Sequence, residues 1–331
     1  MTAISISIVG ATGLVGRNFI KIIEKFDIDY SQIYLYASKK SAGKKIMIKN
    51  KPYTIMELTK ENILKHPSTY ALFSAGSSIS KDYALFFTKQ NTIVIDNSSQ
   101  FRMDYDVPLI VPEINFDQIE NHLLIANPNC STIQSVLPLK ALEKDYSILS
   151  VSYTTYQAVS GSGQKGLKDL DLTENHLSPK YYTSPIYNNV IPVIDKVLEN
   201  NYTFEEEKMI LETRKILNKK IDVHATCVRV PVKYSHSVDI SVTLDKNVDL
   251  NLVLKRLTQF EGLKVILKKD CYPTPRQATN QNFVYVGRIR KDYFKNNVLH
   301  LFTTADNIRK GAALNAVQIL KKLIERRKQN D

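Results

Sequence analysis

The chain has 331 residues, which is enough for two domains that each bury a hydrophobic core. Its composition, with 43% hydrophobic and 24% charged residues, is typical of a globular protein and excludes a disordered or fibrous one. The net charge of +12 comes from lysines that are spread along the chain without interleaved aromatic residues, so we expect no nucleic-acid partner. There is no apolar run of membrane-spanning length, and we expect no membrane partner.

The N-terminal segment and the cysteines indicate the cellular compartment. Residues 4–9 alternate like a β-strand and lack the basic start and the cleavage site of a signal peptide, so we expect a cytoplasmic protein. The three cysteines, Cys130, Cys227 and Cys271, are odd in number and have no C-x-x-C spacing. A disulfide framework and a metal site are therefore not expected, and one cysteine is left as a candidate nucleophile.

Short apolar runs alternate with helical patterns over the first 130 or so residues. Strands are predicted at residues 4–9, 33–37, 70–74, 92–96 and 123–126, and helices at residues 13–25 and 79–89. This alternation predicts an α/β fold whose N-terminal domain has a Rossmann-type, doubly wound parallel sheet.

The pattern changes in the second half of the chain. Longer β-rich stretches at residues 147–157, 222–232, 237–244 and 298–306 predict an α+β domain with a mixed, largely antiparallel sheet. A final amphipathic helix begins near residue 308. We place the first domain at residues 1–129, completed by residues 308–331, and the second at residues 130–307.

The first predicted strand leads directly into glycines at Gly10, Gly13 and Gly16 and then into a helix. Such a turn lets a pyrophosphate approach the helix N-terminus, where free N–H groups and the helix dipole favour an anion. The spacing is G-x-x-G-x-x-G instead of the usual G-x-G-x-x-G. The position between a strand and a helix nevertheless indicates dinucleotide binding.

The segment after the second predicted strand indicates which dinucleotide binds. NAD enzymes usually carry a carboxylate there for the ribose 2′-hydroxyl. This chain has no acid at that point and instead offers Lys39 or Lys40 together with Ser38 and Ser41. These groups suit a 2′-phosphate, so we expect NADP.

Cys130 stands between a predicted apolar strand and a helical segment, among polar neighbours. A cysteine at a helix N-terminus has its thiolate stabilised by the dipole, and nearby N–H groups can hold an oxyanion. A partner base is required, and His236 is favoured because it lies in a turn between two strands. The other histidines, His66, His122, His176, His224 and His300, remain candidates from pattern alone.

Eight segments of the chain resemble the aspartate-β-semialdehyde dehydrogenase family, and they occur in the order found in that family. They are residues 10–16 (GATGLVG), 96–104 (DNSSQFRMD), 111–115 (VPEIN), 127–132 (NPNCST), 156–161 (YQAVSG), 205–209 (EEEKM), 229–232 (RVPV) with His236, and 310–313 (KGAA). Two positions depart from the family pattern, since Lys40 replaces a usual Arg and Ser235 replaces a usual Gly.

The resemblance implies a role for individual residues. Cys130 is implied as the nucleophile, His236 as the acid/base and Gln157 as the residue that orients the substrate. The substrate carboxylate and amino group are assigned to Arg229 and Glu205. The other implied contacts are with phosphate, from Arg102, Lys208 and Asn129, and with NADP, from Gly10, Thr12, Gly13, Leu14, Val15, Ser38, Lys40, Ser41, Ser160, Gly161 and Asn315.

The implied reaction is the reversible NADPH-dependent reductive dephosphorylation of β-aspartyl phosphate to aspartate-β-semialdehyde through a thioester on Cys130. It serves lysine (diaminopimelate), methionine and threonine synthesis. The resemblance also implies small-molecule substrates and a homodimer, with a homotetramer as the alternative, and makes the second domain the catalytic and dimerisation domain. The rival function is another acyl-phosphate reductase, such as N-acetyl-γ-glutamyl-phosphate reductase, against which Asn129 and Ser131 argue.

Overall fold

A computed structural model describes residues 4–330. Its strands are β1 (Ser5–Val9), β2 (Gln32–Ala37), β3 (Lys45–Ile48), β4 (Lys51–Glu57), β5 (Tyr70–Phe73), β6 (Ile93–Asp96), β7 (Leu124–Ala126), β8 (Ile148–Ala158), β9 (Asp222–Val230), β10 (His236–Leu244), β11 (Leu263–Val265), β12 (Val284–Lys291) and β13 (Val298–Ala305). Its α-helices are α1 (Leu14–Lys25), α2 (Lys60–Lys65), α3 (Ser77–Thr88), α4 (Pro112–Asn115), α5 (Cys130–Leu142), α6 (Gly163–Glu174), α7 (Phe204–Leu217), α8 (Leu250–Gln259), α9 (Pro275–Ala278) and α10 (Leu314–Asn330).

The chain divides into two compact units. The first contains the residues up to 128 together with those from 312 onward, and the second contains residues 129–311. The domain limits expected from the sequence, 1–129 with 308–331 and 130–307, stay a prediction of where the functional domains begin and end. None of the helices within residues 4–330 is both long enough and apolar enough to cross a membrane.

The first unit is built on a seven-stranded sheet with the order β3-β4-β2-β1-β5-β6-β7. All neighbouring strands are parallel except β3 and β4, which form an antiparallel hairpin at one edge. The apolar runs of the strands are buried, and helices α1 and α10 pack together over the same core through residues such as Phe19 and Leu320. The predicted Rossmann-type sheet is therefore confirmed.

The second unit is built on a six-stranded sheet with the order β11-β12-β13-β10-β8-β9. The pairs β12–β13, β13–β10 and β10–β8 are antiparallel, whereas β11–β12 and β8–β9 are parallel. This confirms the predicted mixed, largely antiparallel sheet.

Side chains alternate along the strands of this second sheet. In β10, Val238, Ile240 and Val242 are fully buried, while the intervening Asp239 and Ser241 are partly exposed. Helix α5 contacts four strands of the sheet, and α7 contacts β9. Almost every side chain of α5 is buried, so its first residue is held rigidly by the surrounding unit.

Candidate active site

Cys130 is the first residue of α5 and is partly exposed. The helix begins there because Asn129 caps it: the side-chain Oδ1 accepts hydrogen bonds from the N–H groups of Ser131, at 2.8 Å, and Thr132, at 3.2 Å. A thiolate in this position is stabilised by the positive end of the helix dipole. A side chain at Gly311 would place its Cβ 2.7 Å from the Cβ of Cys130, so glycine is needed beside the thiol.

Asn129 is itself held from two sides by buried carboxylates of α7. Its side-chain Nδ2 donates to Glu205 Oε1 at 2.9 Å, and its backbone N donates to Glu212 Oε2 at 2.6 Å. Its carbonyl oxygen accepts the α-helical bond from Ile133. Each polar group of Asn129 therefore makes at least one hydrogen bond, and the backbone leading into Cys130 has little freedom.

Glu205 lies at the centre of this network and is 5% exposed. Burial alone raises the pKa of its carboxyl, but Lys208 Nζ at 2.6 Å, with Gln157 at 3.0 Å and Asn129, outweighs burial and lowers the pKa to about 2. Glu205 is therefore ionised at neutral pH. Lys208 also contacts Asp195 at 3.3 Å, so its charge is shared between two carboxylates.

Arg229 and His236 are brought together by the main chain of Ala158. Strands β8 and β9 pair in register, with Gln157 opposite Arg229, and the Arg229 Nη1 donates to the Ala158 carbonyl at 2.7 Å. The Ala158 N–H donates to His236 Nδ1 at 2.9 Å. An added Cβ at Gly161 would lie 2.6 Å from Arg229 Nη1 and 3.2 Å from His236 Nε2, so this glycine keeps the space in front of both groups open.

The hydrogen bond from Ala158 fixes the protonation state of His236. A backbone N–H can only donate, so Nδ1 must be the acceptor and the neutral ring carries its hydrogen on Nε2. Burial, followed by the nearby Arg229 charge, lowers the pKa of His236 to about 3, although Glu205 opposes the shift. In this state His236 presents an Nε2–H donor, which suits a developing oxyanion.

The turn before His236 has a backbone conformation that favours glycine, the residue that the family resemblance implies there. Ser235 has φ of +72°, a conformation that glycine adopts without strain and other residues rarely adopt. It is held by two contacts, from its N–H to Asn307 Oδ1 at 2.9 Å and between its hydroxyl and Thr279 Oγ1 at 2.8 Å. The side-chain contact compensates in part for the strained backbone.

The depressed pKa of His236 makes the stability of the protein pH-dependent. In the unfolded chain the ring takes up a proton below pH 6.5, whereas the folded ring resists protonation until about pH 3, so stability falls as the pH falls through this window. We expect the wild type to lose about 2 kcal/mol more than His236→Gln between pH 7 and pH 5. Urea unfolding at both pH values measures this, and an equal loss in the two proteins would contradict the assignment.

The other histidines have different surroundings. His300 Nε2 bonds to Asp292 at 2.8 Å, and the His66 ring lies 5.1 Å from the ring of Tyr34. His122 Nδ1 contacts the carbonyl of Ile119, and the side chains of His176 and His224 are exposed. His236, by contrast, lies with Arg229 in front of Gly161.

The first unit contains the predicted dinucleotide turn. Gly10 has φ of +86°, and a Cβ at Gly16 would lie 2.2 Å from the Gly10 carbonyl oxygen, so only glycine permits this approach of the helix to the turn. Gly13 is the N-cap of α1 and provides no capping side chain. Thr12 belongs to the same turn, and Leu14 and Val15 open the helix.

The remaining cofactor and phosphate residues are placed as follows. Lys39, Lys40 and Ser41 form a single 3-10 turn directly after β2, and both lysines are exposed. Asn315 is fully buried and donates to Ile110 O and Asn127 Oδ1, which gives it a structural role in the first unit. Arg102 is largely buried and donates to the Asn97 carbonyl.

Ser160 lies in the second unit and exchanges hydrogen bonds with the Asn307 side chain at 3.1–3.2 Å. Its hydroxyl therefore supports the same asparagine that holds Ser235. The contacts of Ser160, Gly161 and Asn315 with NADP stay predictions.

Sequence reasoning missed Glu206 and Glu212. Glu206 closes a capping box with Thr203 and also accepts the Cys227 N–H at 3.0 Å. The sequence signal for Glu206 was the Thr203 to Glu206 spacing of a capping box. Glu212 has no such local signal, because the Asn129 N–H that it accepts lies 83 residues away along the chain.

Comparison with known proteins gives a consistent result. Residues 5–122 match the NAD binding domain of semialdehyde dehydrogenases, and residues 139–310 match the semialdehyde dehydrogenase dimerisation domain. The aspartate-semialdehyde dehydrogenases of Campylobacter jejuni and Aquifex aeolicus are 42% and 45% identical to the chain, over 97% of its length and 97% and 98% of theirs.

A solved structure agrees with the sequence relatives. The crystal structure of aspartate semialdehyde dehydrogenase II complexed with ASA from Vibrio cholerae has a TM-score of 0.92 and 36% identity, covering 98% of this chain and 99% of that one. The family predicted from the sequence motifs is confirmed. The chain belongs to the aspartate-semialdehyde dehydrogenase family.

Proposed function

We propose that the chain catalyses the reversible NADPH-dependent reductive dephosphorylation of β-aspartyl phosphate to aspartate-β-semialdehyde. The observation that carries this proposal is the arrangement of side chains in the second unit. Cys130 begins α5, and the network beside it contains the ionised Glu205. Arg229 and the neutral His236 both form hydrogen bonds with the main chain of Ala158. A nucleophile, an oxyanion donor and two opposite charges for an amino-acid substrate are what acyl transfer on such a substrate requires.

A direct assay tests the proposal. NADPH should be formed from NADP only when aspartate-β-semialdehyde and phosphate are both present, and absorbance reports the rate. N-acetyl-glutamate-γ-semialdehyde is the matched comparison substrate for the rival reductase. A higher kcat/KM with that compound than with aspartate-β-semialdehyde would overturn the proposal.

The nucleophilic steps involve Cys130. Its thiolate attacks the acyl carbon of β-aspartyl phosphate, the carbon–oxygen bond to phosphate breaks, and phosphate leaves with the electron pair, which gives a thioester. NADPH, when bound, supplies the hydride that reduces this thioester. The Nε2–H of His236 stabilises the oxygen that gains negative charge. When the carbon–sulfur bond breaks, the thiolate returns to Cys130 and the semialdehyde is released.

Charged side chains would align the substrate. Arg229 has one nitrogen committed to the Ala158 carbonyl, and its Nε has no hydrogen-bond partner within residues 4–330, so donors remain for a carboxylate. Ionised Glu205 would attract the ammonium group, and Gln157, which donates to Glu205, would keep this end of the pocket ordered. We propose that phosphate is bound by Arg102 and by two residues that contact Glu205, namely Lys208 and Asn129.

The residues of the first unit fit NADP. The turn from Gly10 to Gly13 leads into the N-terminus of α1, and the exposed Lys39 and Lys40 form no ion pair with any residue of the described part of the chain. The two lysines can therefore meet a 2′-phosphate without first breaking an internal contact.

Replacing both lysines, Lys39→Ala with Lys40→Ala, should weaken the preference for NADP over NAD by about tenfold, mainly through KM for NADP. The reason is the loss of charge-assisted contacts with the 2′-phosphate, while the NAD-binding turn is untouched. Steady-state kinetics with each cofactor measure the change. Lys44→Ala, in the next turn of chain, is the control. Unchanged KM for NADP in the double variant would remove the loop from the cofactor site.

We also propose a homodimer in the cytoplasm, with a homotetramer as the larger alternative. The match of residues 139–310 to a dimerisation domain supports the dimer. Three free cysteines, one of them the proposed nucleophile, suit a reducing compartment. A role in lysine, methionine and threonine synthesis follows from the proposed product.

A further inference from the structure

Helix α7 and the start of α5 are tied together by two glutamates of α7, Glu205 and Glu212, which lie seven residues apart on one face of that helix. Glu205 holds the side chain of Asn129, and Glu212 holds its backbone N–H. Two contacts on one residue from a single rigid helix fix both the position and the rotation of that residue. The residue so fixed is the one directly before Cys130.

Glu212 is fully buried, which is unusual for a carboxylate and requires compensation. Its Oε2 accepts from the Asn129 N–H at 2.6 Å, which is a short hydrogen bond. A helix needs no glutamate at this point for its own stability, because residue 212 lies well inside α7 and away from its caps. The contact therefore serves α5 and the loop that leads into it.

The effect reaches Cys130 through the N-cap. Asn129 caps α5 only if its side-chain oxygen faces the N–H groups of Ser131 and Thr132, and that orientation depends on the backbone that Glu212 holds. A shift of about 1 Å in a reacting group can lower a rate about 100-fold. A contact one residue from the sulfur can therefore control the reaction without touching the substrate.

We propose that Glu212 is a positioning residue whose buried carboxylate holds the Asn129 backbone and thereby fixes Cys130 at the start of α5. The proposal rests on the proposed function, because it assumes that Cys130 is the nucleophile. Glu212 acts through the position of its acceptor oxygen, which has to lie within hydrogen-bond distance of the Asn129 N–H.

Three substitutions separate geometry from charge. Glu212→Gln keeps an acceptor oxygen at the same reach and removes the charge, whereas Glu212→Asp keeps the charge and withdraws the acceptor by about 1.5 Å. Glu212→Ala removes both. Glu207→Ala is the control, since Glu207 lies on the same helix and is partly exposed.

Steady-state kinetics in the phosphate-dependent direction give the main result. We expect Glu212→Ala to lower kcat about 100-fold with KM for aspartate-β-semialdehyde within about twofold. Glu212→Gln should stay within about fivefold of the wild type and above Glu212→Asp, and Glu207→Ala should match the wild type. Wild-type kcat in Glu212→Ala, or a higher kcat in Glu212→Asp than in Glu212→Gln, would overturn the proposal. If Glu212→Ala does not fold, the order of the other two variants decides.

Amide hydrogen exchange separates this proposal from the proposed function. The peptide that contains Ser131 and Thr132 should exchange faster in Glu212→Asp than in the wild type or in Glu212→Gln, because its cap is loosened. This result does not depend on turnover. Should the wild type lack the proposed activity, faster exchange would still support Glu212 as the residue that holds the loop, and unchanged exchange would reject it.

Discussion

Cys130→Ser is expected to abolish turnover, with kcat lowered by about 10⁴-fold or more, while NADP still binds. A serine hydroxyl at this position would not ionise near neutral pH. The helix dipole, which stabilises a thiolate, would then have no anion to stabilise, and no strong nucleophile would form. The change removes one sulfur and leaves the cap at Asn129 and the network around Glu205 in place. Initial rates and fluorescence titration with NADPH measure the two effects separately.

The two other cysteines provide the controls. Cys227 is buried in β9, where burial, followed by the Glu205 charge, raises the pKa of its thiol far above the ordinary value. Cys271 is exposed in a loop of the second unit. Cys227→Ser and Cys271→Ser should each keep most of the activity. Normal turnover in Cys130→Ser, or its loss in Cys271→Ser, would show that the nucleophile has been assigned to the wrong residue.

The sequence predicted strands well where short, mainly apolar stretches are buried on both faces of the sheet. The runs at residues 4–9, 33–37 and 70–74 correspond to β1, β2 and β5, each within about one residue at either end. The β3–β4 hairpin was not predicted, because it lies at the sheet edge and β4 exposes much of its length. Its turn, Lys49 and Asn50, has positive φ at both residues without the usual glycine.

The start of α5 shows what local signals can and cannot reveal. The helical segment that follows Cys130 predicted a helix N-terminus there, and the structure places Cys130 at the first position of α5 with Asn129 as the cap. The cap geometry is local and could be expected from the residue types. The two carboxylates that hold Asn129 could not be predicted in this way. Glu205 and Glu212 lie 76 and 83 residues further along the chain, and only the fold brings them into contact with Asn129.

Ser235 shows a departure from a pattern that the structure explains. A glycine is usual before the histidine, and the φ of +72° at this position gives the reason. The sequence alone could not show that a serine would keep the same turn. Two long-range contacts, with Asn307 and Thr279, hold it there.

Arg229→Leu should raise KM for aspartate-β-semialdehyde by a factor of about 10 to 150, the loss expected for one charge-assisted contact of about 1.5–3 kcal/mol. Arg229 is 4% exposed, opposite Gln157 in the sheet, and its guanidinium shares the Ala158 main chain with His236. If the carboxylate contact also aligns the carbonyl with Cys130, kcat should fall as well. Leucine is shorter and uncharged but keeps an apolar side chain at this position, so β9 should keep its fold. Circular dichroism checks that it is.

Arg102→Leu is the matched comparison, because the family resemblance assigns Arg102 to phosphate instead of to the amino acid. In the phosphate-dependent direction it should raise KM for phosphate far more than KM for the semialdehyde, the reverse of Arg229→Leu. Varying each substrate at saturating levels of the other separates the two constants. If both variants changed KM for the same substrate, the division into a carboxylate site and a phosphate site would be wrong. If neither constant changed in either variant, these guanidinium groups would serve the folded structure only, Arg229 through Ala158 and Arg102 through Asn97.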